Sequence, residues 1–165
     1  MLIEDFAADI AAVQRVENVQ AILAEVCRIT GMRFAAVARV TDSRWIACQL
    51  LDNSEFGLEP GDELELSTTI CDEIRMSGQG VFIDHVGDHP EWRTHHTPIL
   101  YGFESYISIP ILLDDGSFFG TLCAIDPSPR RHSLASVYAI VEGFAQHIGE
   151  ALSPPPPRAR AAASS

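Results

Sequence analysis

Basic residues are scarce in this chain: 11 Lys and Arg stand against 23 Asp and Glu, a formal net charge of −12 over 165 residues. Phosphate backbones are held by clustered Lys and Arg, so the shortage argues against nucleic acid as a partner. It also disfavours anionic membrane surfaces. No run of 18 apolar residues occurs, which leaves nothing to span a bilayer. Met1 to Asp9 carries acids where a signal peptide needs a basic start and an apolar stretch, so the sequence reads as cytoplasmic. Cysteine is sparse, with Cys27, Cys48, Cys71 and Cys123 and no C-x-x-C. That excludes a zinc ribbon or a thioredoxin-type motif and argues against a disulfide framework; the plain reading is four small buried hydrophobes. G-x-S-x-G, Walker A and G-x-G-x-x-G are all missing, and Gly116 and Gly120 suit a hairpin better than a phosphate cradle.

What is present is a globular body. Hydrophobic residues make up 47% and charged residues 21%, and the length suits one domain. Residues 1–152 read as that domain. Ser153 to Ser165, SPPPPRARAAASS, reads as a disordered linker or tail, because four consecutive prolines cannot continue a helix. Ile3, Phe6, Ile10 and Val13 recur at helical spacing, and a second helix follows from Asn18 as N-cap to Gly31, with Val19, Ile22, Leu23, Val26 and Ile29 on its face. Arg33–Val40 and Trp45–Leu51 predict a hairpin. Glu63–Leu66 predicts a short strand, Thr68–Met76 a helix, and Gly80–Asp84 another strand. The acidic stretch 52–73 reads as a solvated face. Ser105–Leu113 and Ser117–Ile125 flank Asp114-Asp115-Gly116, a strong hairpin turn. Leu134 to Leu152 predicts one amphipathic helix whose face, Leu134, Val137, Val141, Phe144 and Ile148, is expected to serve both the sheet and a partner copy. The fold class is α+β: a largely antiparallel sheet of five to six strands, N- and C-terminal helices on one face and a helix/loop lid on the other.

The segment Gly102 to Arg130, GFESYISIPILLDDGSFFGTLCAIDPSPR, resembles the GAF domain family. The shared block is an aromatic-Ser-Tyr run, a strand ending at Pro110-Ile111, D-G, G-x-L-x-x-x-D and a Pro-rich break. Ser67 to Asp84, STTICDEIRMSGQGVFID, is similar to the family's helix-then-strand ahead of the lid. The resemblance covers about residues 4–152. It implies a PAS-like architecture and a non-catalytic sensory module of bacterial signal transduction. Such a module binds a small molecule between sheet and lid, acts as a homodimer and regulates an effector such as a histidine kinase in a two-component system. It leaves the ligand or cofactor unnamed. It also admits two alternatives: a ligand-free dimerisation module, and an enzyme related to the free methionine-(R)-sulfoxide reductases.

The enzyme alternative needs a nucleophilic thiolate with a resolving cysteine. Cys71 matches one family position, but the place of the nucleophile, about eleven residues before Pro110, is held by Ile99. No cysteine lies between residues 72 and 122. Covalent bilin attachment is disfavoured in the same way, since WRTHHTPILYG offers His95 and His96 without a cysteine. His85, His89, His95 and His96 are interleaved with Asp84, Asp88 and Glu91, a donor set that suits a metal. Gly87 and Pro90 argue against a helix that would align His85 with His89, and a solvated loop is the plainer reading; no metal site is assigned. On strand 105–111, period two puts Tyr106, Ser108 and Pro110 on one face and Ser105, Ile107, Ile109 and Ile111 on the other. The first set mixes an aromatic with a hydroxyl, as a pocket wall does. The expected ligand-binding residues are therefore Trp92, Arg93, His95 and His96 from the lid and Tyr106 and Ser108 from the sheet. A small polar or anionic ligand is expected there. No catalytic residue is assigned.

Overall fold

The structure is a computed structural model, which describes residues 6–42, 44–53, 57–64, 70–88, 102–130 and 132–153. Helix α1 (Phe6–Gln14) buries Phe6 and Val13. Helix α2 (Val19–Thr30) buries Val19, Ile22, Leu23 and Val26 along one stripe, as their spacing requires. Gly31 ends it in the left-handed region, φ 75°, with its N–H donating to the Cys27 carbonyl. The start of α2 differs from expectation. Asn18 occupies the N-cap position, but its backbone is left-handed at φ 66° and its side chain makes no capping hydrogen bond. Tight backbone turns, with the Val16 N–H donating to the Val13 carbonyl and the Val19 N–H to the Val16 carbonyl, join α1 to α2, and asparagine is among the few non-glycine residues that tolerate a left-handed backbone there.

Six strands follow: β1 (Phe34–Val40), β2 (Trp45–Asp52), β3 (Glu63–Leu64), β4 (Val81–Ile83), β5 (Ser105–Leu112) and β6 (Phe118–Asp126). They form one sheet in the order β3-β2-β1-β6-β5-β4. Every pairing is antiparallel. Helix α3 (Ile70–Ser77) precedes β4, and α4 (Tyr138–Leu152) closes the fold. The single helix expected from Leu134 is broken. Residues Leu134–Ser136 form a 3-10 turn, capped by the Ser133 hydroxyl accepting from the Ala135 N–H, and the α-helix begins at Tyr138. Val137, at φ −114°, separates the two. Ser153, expected to open the tail, belongs to the body: its hydroxyl donates to the Gly149 carbonyl and accepts from the Asp114 N–H at 2.9 Å. Residues 154–165 lie outside the described residues.

The sheet separates two cores. On one side α1, α2 and α4 pack on Ala35, Val37, Ile107, Ile109, Ile111, Leu122 and Ala124. On the other, Ile74 of α3, Ile83, Val86 and Phe103 gather with Phe34, Ala36, Tyr106, Cys123 and Ile125. The period-two reading of β5 therefore holds, with Ile107, Ile109 and Ile111 toward the helices and Tyr106 away from them. Glycine sets two close approaches. A Cβ on Gly120 would overlap the Ala38 carbonyl oxygen of β1, and one on Gly149 would overlap the Leu112 carbonyl oxygen of β5.

Helix α4 uses its apolar face differently from expectation. Leu134, Val141 and Ile148 are consumed by this chain's own core, at 1%, 0% and 0% exposure. The outward apolar surface of α4 is instead Ile140, 51% exposed, with half-buried Phe144.

Candidate functional site

The side of the sheet away from α1, α2 and α4 has an unusual floor. At its centre stand Ala36 and Ala38 of β1, Ala47 of β2, Thr121 and Cys123 of β6 and Ser108 of β5. Register explains the cluster: Cys123 lies opposite both Ala36 and Ser108, and Thr121 opposite both Ala38 and Pro110. Larger residues rim this floor, with Phe34, Tyr106 and Ile125 at one end and Val40, Trp45 and Phe118 at the other. A sheet face built only for packing is usually filled with branched and aromatic side chains. Here six small side chains, two of them hydroxyl-bearing, occupy the middle and are buried.

Of the expected ligand residues, Tyr106 and Ser108 lie on this face. Tyr106 is 5% exposed and stacks on Phe103, with centroids 5.1 Å apart and planes at 24°. Ser108 is fully buried. Trp92, Arg93, His95 and His96 lie outside the described residues, as does His89. His85 is described. Its Nδ1 lies 3.0 Å from Asp88 Oδ2 and its Nε2 3.5 Å from Glu104 Oε1, so local carboxylates engage it. No group of three or more His, Cys, Asp or Glu that could hold a metal occurs among the described residues.

Two carboxylates hold the ends of β4 and β6: Asp84, which the sequence offers only within a metal-suited set, and Asp126, the last residue of the G-x-L-x-x-x-D block. Asp126, at the end of β6, is 1% exposed. It accepts from the Arg33 backbone N–H at 3.0 Å, from Arg33 Nε at 2.9 Å, from the Ser128 N–H at 2.9 Å and from Arg130 Nη2 at 3.1 Å. Burial alone pushes this carboxyl up; the hydrogen bonds from Arg33 and Ser128 and the Arg130 charge outweigh it, and the net displacement is downward. Arg130 Nη1 also donates to the Thr30 carbonyl, which ties β6 to the end of α2. Beside it opens a cleft of about 470 Å³ lined by Arg28, Gly31, Arg130, His132 and Ser136. Asp84, just after β4, accepts from the Ser133 hydroxyl at 2.9 Å and the Leu134 N–H at 2.6 Å. It thereby caps the turn that leads into α4. Across the lid's base, the Val86 N–H donates to the Glu104 carbonyl and the Glu104 N–H to the Asp126 carbonyl. Val86 and Glu104 thus meet the hub of hydrogen bonds around Asp84 and Asp126.

Two of the four thiols are unsuited to nucleophilic chemistry. Burial pushes the Cys27 thiol up to about 11 and the Cys48 thiol up to about 12, far from a nucleophilic thiolate at neutral pH.

The GAF domain family model matches residues 14–152. The chain belongs to the GAF domain family. No curated protein matches it. Among solved structures it is similar to a type II free methionine-R-sulfoxide reductase from Thermoplasma acidophilum, at 11% identity and TM-score 0.63, over 86% of this chain and 94% of that one. It is similar to the cyanobacteriochrome receptor PixJ at 14% identity and TM-score 0.65, over 90% of this chain and 97% of that one. It is also similar to the bacteriophytochrome RpBphP3 from R. palustris at 17% identity and TM-score 0.63, over 90% of this chain and 38% of that one. At such identities the likeness is one of fold, and the fold is common to sensors and reductases.

Proposed function

We propose that this protein is a non-catalytic sensory GAF domain that binds a small molecule between the sheet and its lid and passes the signal to an effector such as a histidine kinase. The observation that carries the reading is the buried floor of Ala36, Ala38, Ala47, Ser108, Thr121 and Cys123 on the side of the sheet away from α1, α2 and α4. Small side chains there leave depth for a ligand body. Arg93, His95 and His96 are the lid groups we expect to meet it, with Trp92, against Tyr106 and Ser108. The enzymatic alternative has against it the raised thiols of Cys27 and Cys48 and the stretch 72–122, which lacks cysteine. The sparse cysteines, with no C-x-x-C, also suit the reducing cytoplasm. No helix among the described residues is long and apolar enough to cross a membrane.

Native mass spectrometry of the purified protein, with hydrogen exchange across residues 85–101, tests the reading. The expected result is a bound small molecule, fast lid exchange without it and slow exchange with it. A lid fully protected in ligand-free protein would instead support the dimerisation module. Thiol-dependent reduction of free methionine sulfoxide would restore the enzyme.

A further inference from the structure

Resting on the cleft reading above, we propose that Trp45 is the hydrogen-bond donor that orients the ligand, and that the ligand is a flat, uncharged ring system bearing a carbonyl or ring-nitrogen acceptor. Trp45 opens β2 opposite Val40 and is 3% exposed. Its indole Nε1 is buried and meets no hydrogen-bond acceptor among the described residues. Leaving such a donor unmade costs free energy comparable to a lost hydrogen bond, and buried indole N–H groups ordinarily find a partner. A fold that keeps this one unmatched has an acceptor to receive from outside the chain.

The position favours the same conclusion. The indole packs with Ala38, Val40 and Ala47, and Ala38 and Ala47 belong to the small-residue floor. A ring lying on that floor would extend from Trp45 toward Thr121, which is paired with Ala38, and on to Ser108. Leu50, Leu58 and Phe118 pack alongside, so the wall around the indole is aliphatic and aromatic among the described residues. Against the anionic ligand that the sequence suggests for this cleft, so apolar a wall and the chain's own −12 favour an uncharged ring. Leu58 packs against the same cluster, is only half-buried and sits on a loop between Gly57 and Gly61, both at φ 96°.

The test uses coumarin, a flat neutral lactone with a carbonyl acceptor, and naphthalene, which has its shape without the acceptor. Each is titrated into the full chain and into Trp45→Phe, with binding followed by calorimetry and by the indole N–H resonances of 15N-labelled protein. The Trp45 resonance is the one missing from the variant. We expect Trp45→Phe to weaken coumarin about five-fold, the loss of one hydrogen bond, and to leave naphthalene within about two-fold. We expect coumarin, and not naphthalene, to move the Trp45 resonance downfield. Retained naphthalene binding shows that the variant is folded. Equal losses for the two probes, or no loss for either, would overturn the role of Trp45 and leave the cleft reading standing. Binding of neither probe would overturn both.

Discussion

Asp126 carries more of the structure than any other single carboxylate among the described residues. It receives hydrogen bonds from two guanidinium groups and two backbone N–H groups while almost wholly buried. Removing the charge leaves Arg130, whose side chain is 12% exposed, without its counter-ion. Breaking a buried pair from one side is strongly destabilising, so Asp126→Asn should cost about 3 kcal/mol in urea unfolding. The pH dependence has a definite sign. The folded carboxyl is lowered, so its contribution is present above the unfolded value near 3.8 and is lost as pH falls through the lower folded value. Wild type should therefore lose stability below about pH 4 more steeply than Asp126→Asn. Parallel acid profiles for the two would contradict this assignment. The pairing could not be read from the sequence: Asp126 closes the G-x-L-x-x-x-D block, but Arg33 lies 93 positions away and nothing local joins the two. Tyr106 and Ser108 could be read, since period two along a strand is a local property. Trp45 gave no signal, because a missing acceptor is visible only once the neighbours of the ring are known.

Elements were legible wherever the pattern is local. The hairpin at Asp114–Gly116, the stripe of α2 and the alternation of β5 each follow from spacing and turn chemistry. What escaped was set by distant partners in two cases, the 3-10 turn before α4 and Ser153 held to the 114 turn; the third, the left-handed Asn18, is a local turn that an N-cap reading does not foresee. The 3-10 turn is where the lid's base meets α4, since Asp84 caps it across 50 positions of sequence. Losing a cap of this kind costs about 1 kcal/mol. Asp84→Ala should therefore speed amide exchange over residues 134–141 while leaving the β1–β6 ladder unchanged; faster exchange spread evenly through the chain would count against a local cap. The closest approaches between elements make a second test. Gly120→Ala and Gly149→Ala each drive a methyl into a backbone carbonyl that cannot swing away. Each should cost at least about 3 kcal/mol or prevent folding, and a change under about 1 kcal/mol would mean that the β1–β6 or α4–β5 spacing is looser than described.

At the scale of the whole molecule, the helical face and the charge pull in opposite directions. The face expected to serve both core and partner is mostly used up within the chain, and what remains is a shallow groove of Asn18, Ile22, Ile140, Gly143, Phe144 and His147 between α2 and α4. We propose that a second copy covers it. Ile140 is large, apolar and half exposed, and truncating or charging such a residue at the centre of an interface is the change that costs most. Two copies of net charge −12 also repel each other. That repulsion reaches about 30 Å at 0.01 M salt and only about 8 Å at 0.15 M, whereas apolar burial depends little on such salt concentrations. The dimer should therefore strengthen as salt is raised across this range, opposite to a contact held by ion pairs. Light scattering on the eluting peak should show more dimer at 0.15 M than at 0.01 M salt, and Ile140→Lys should be monomeric at both. A wild-type chain that stays monomeric at high concentration in either buffer, or a dimer that salt dissolves, would rule out this apolar groove as its interface.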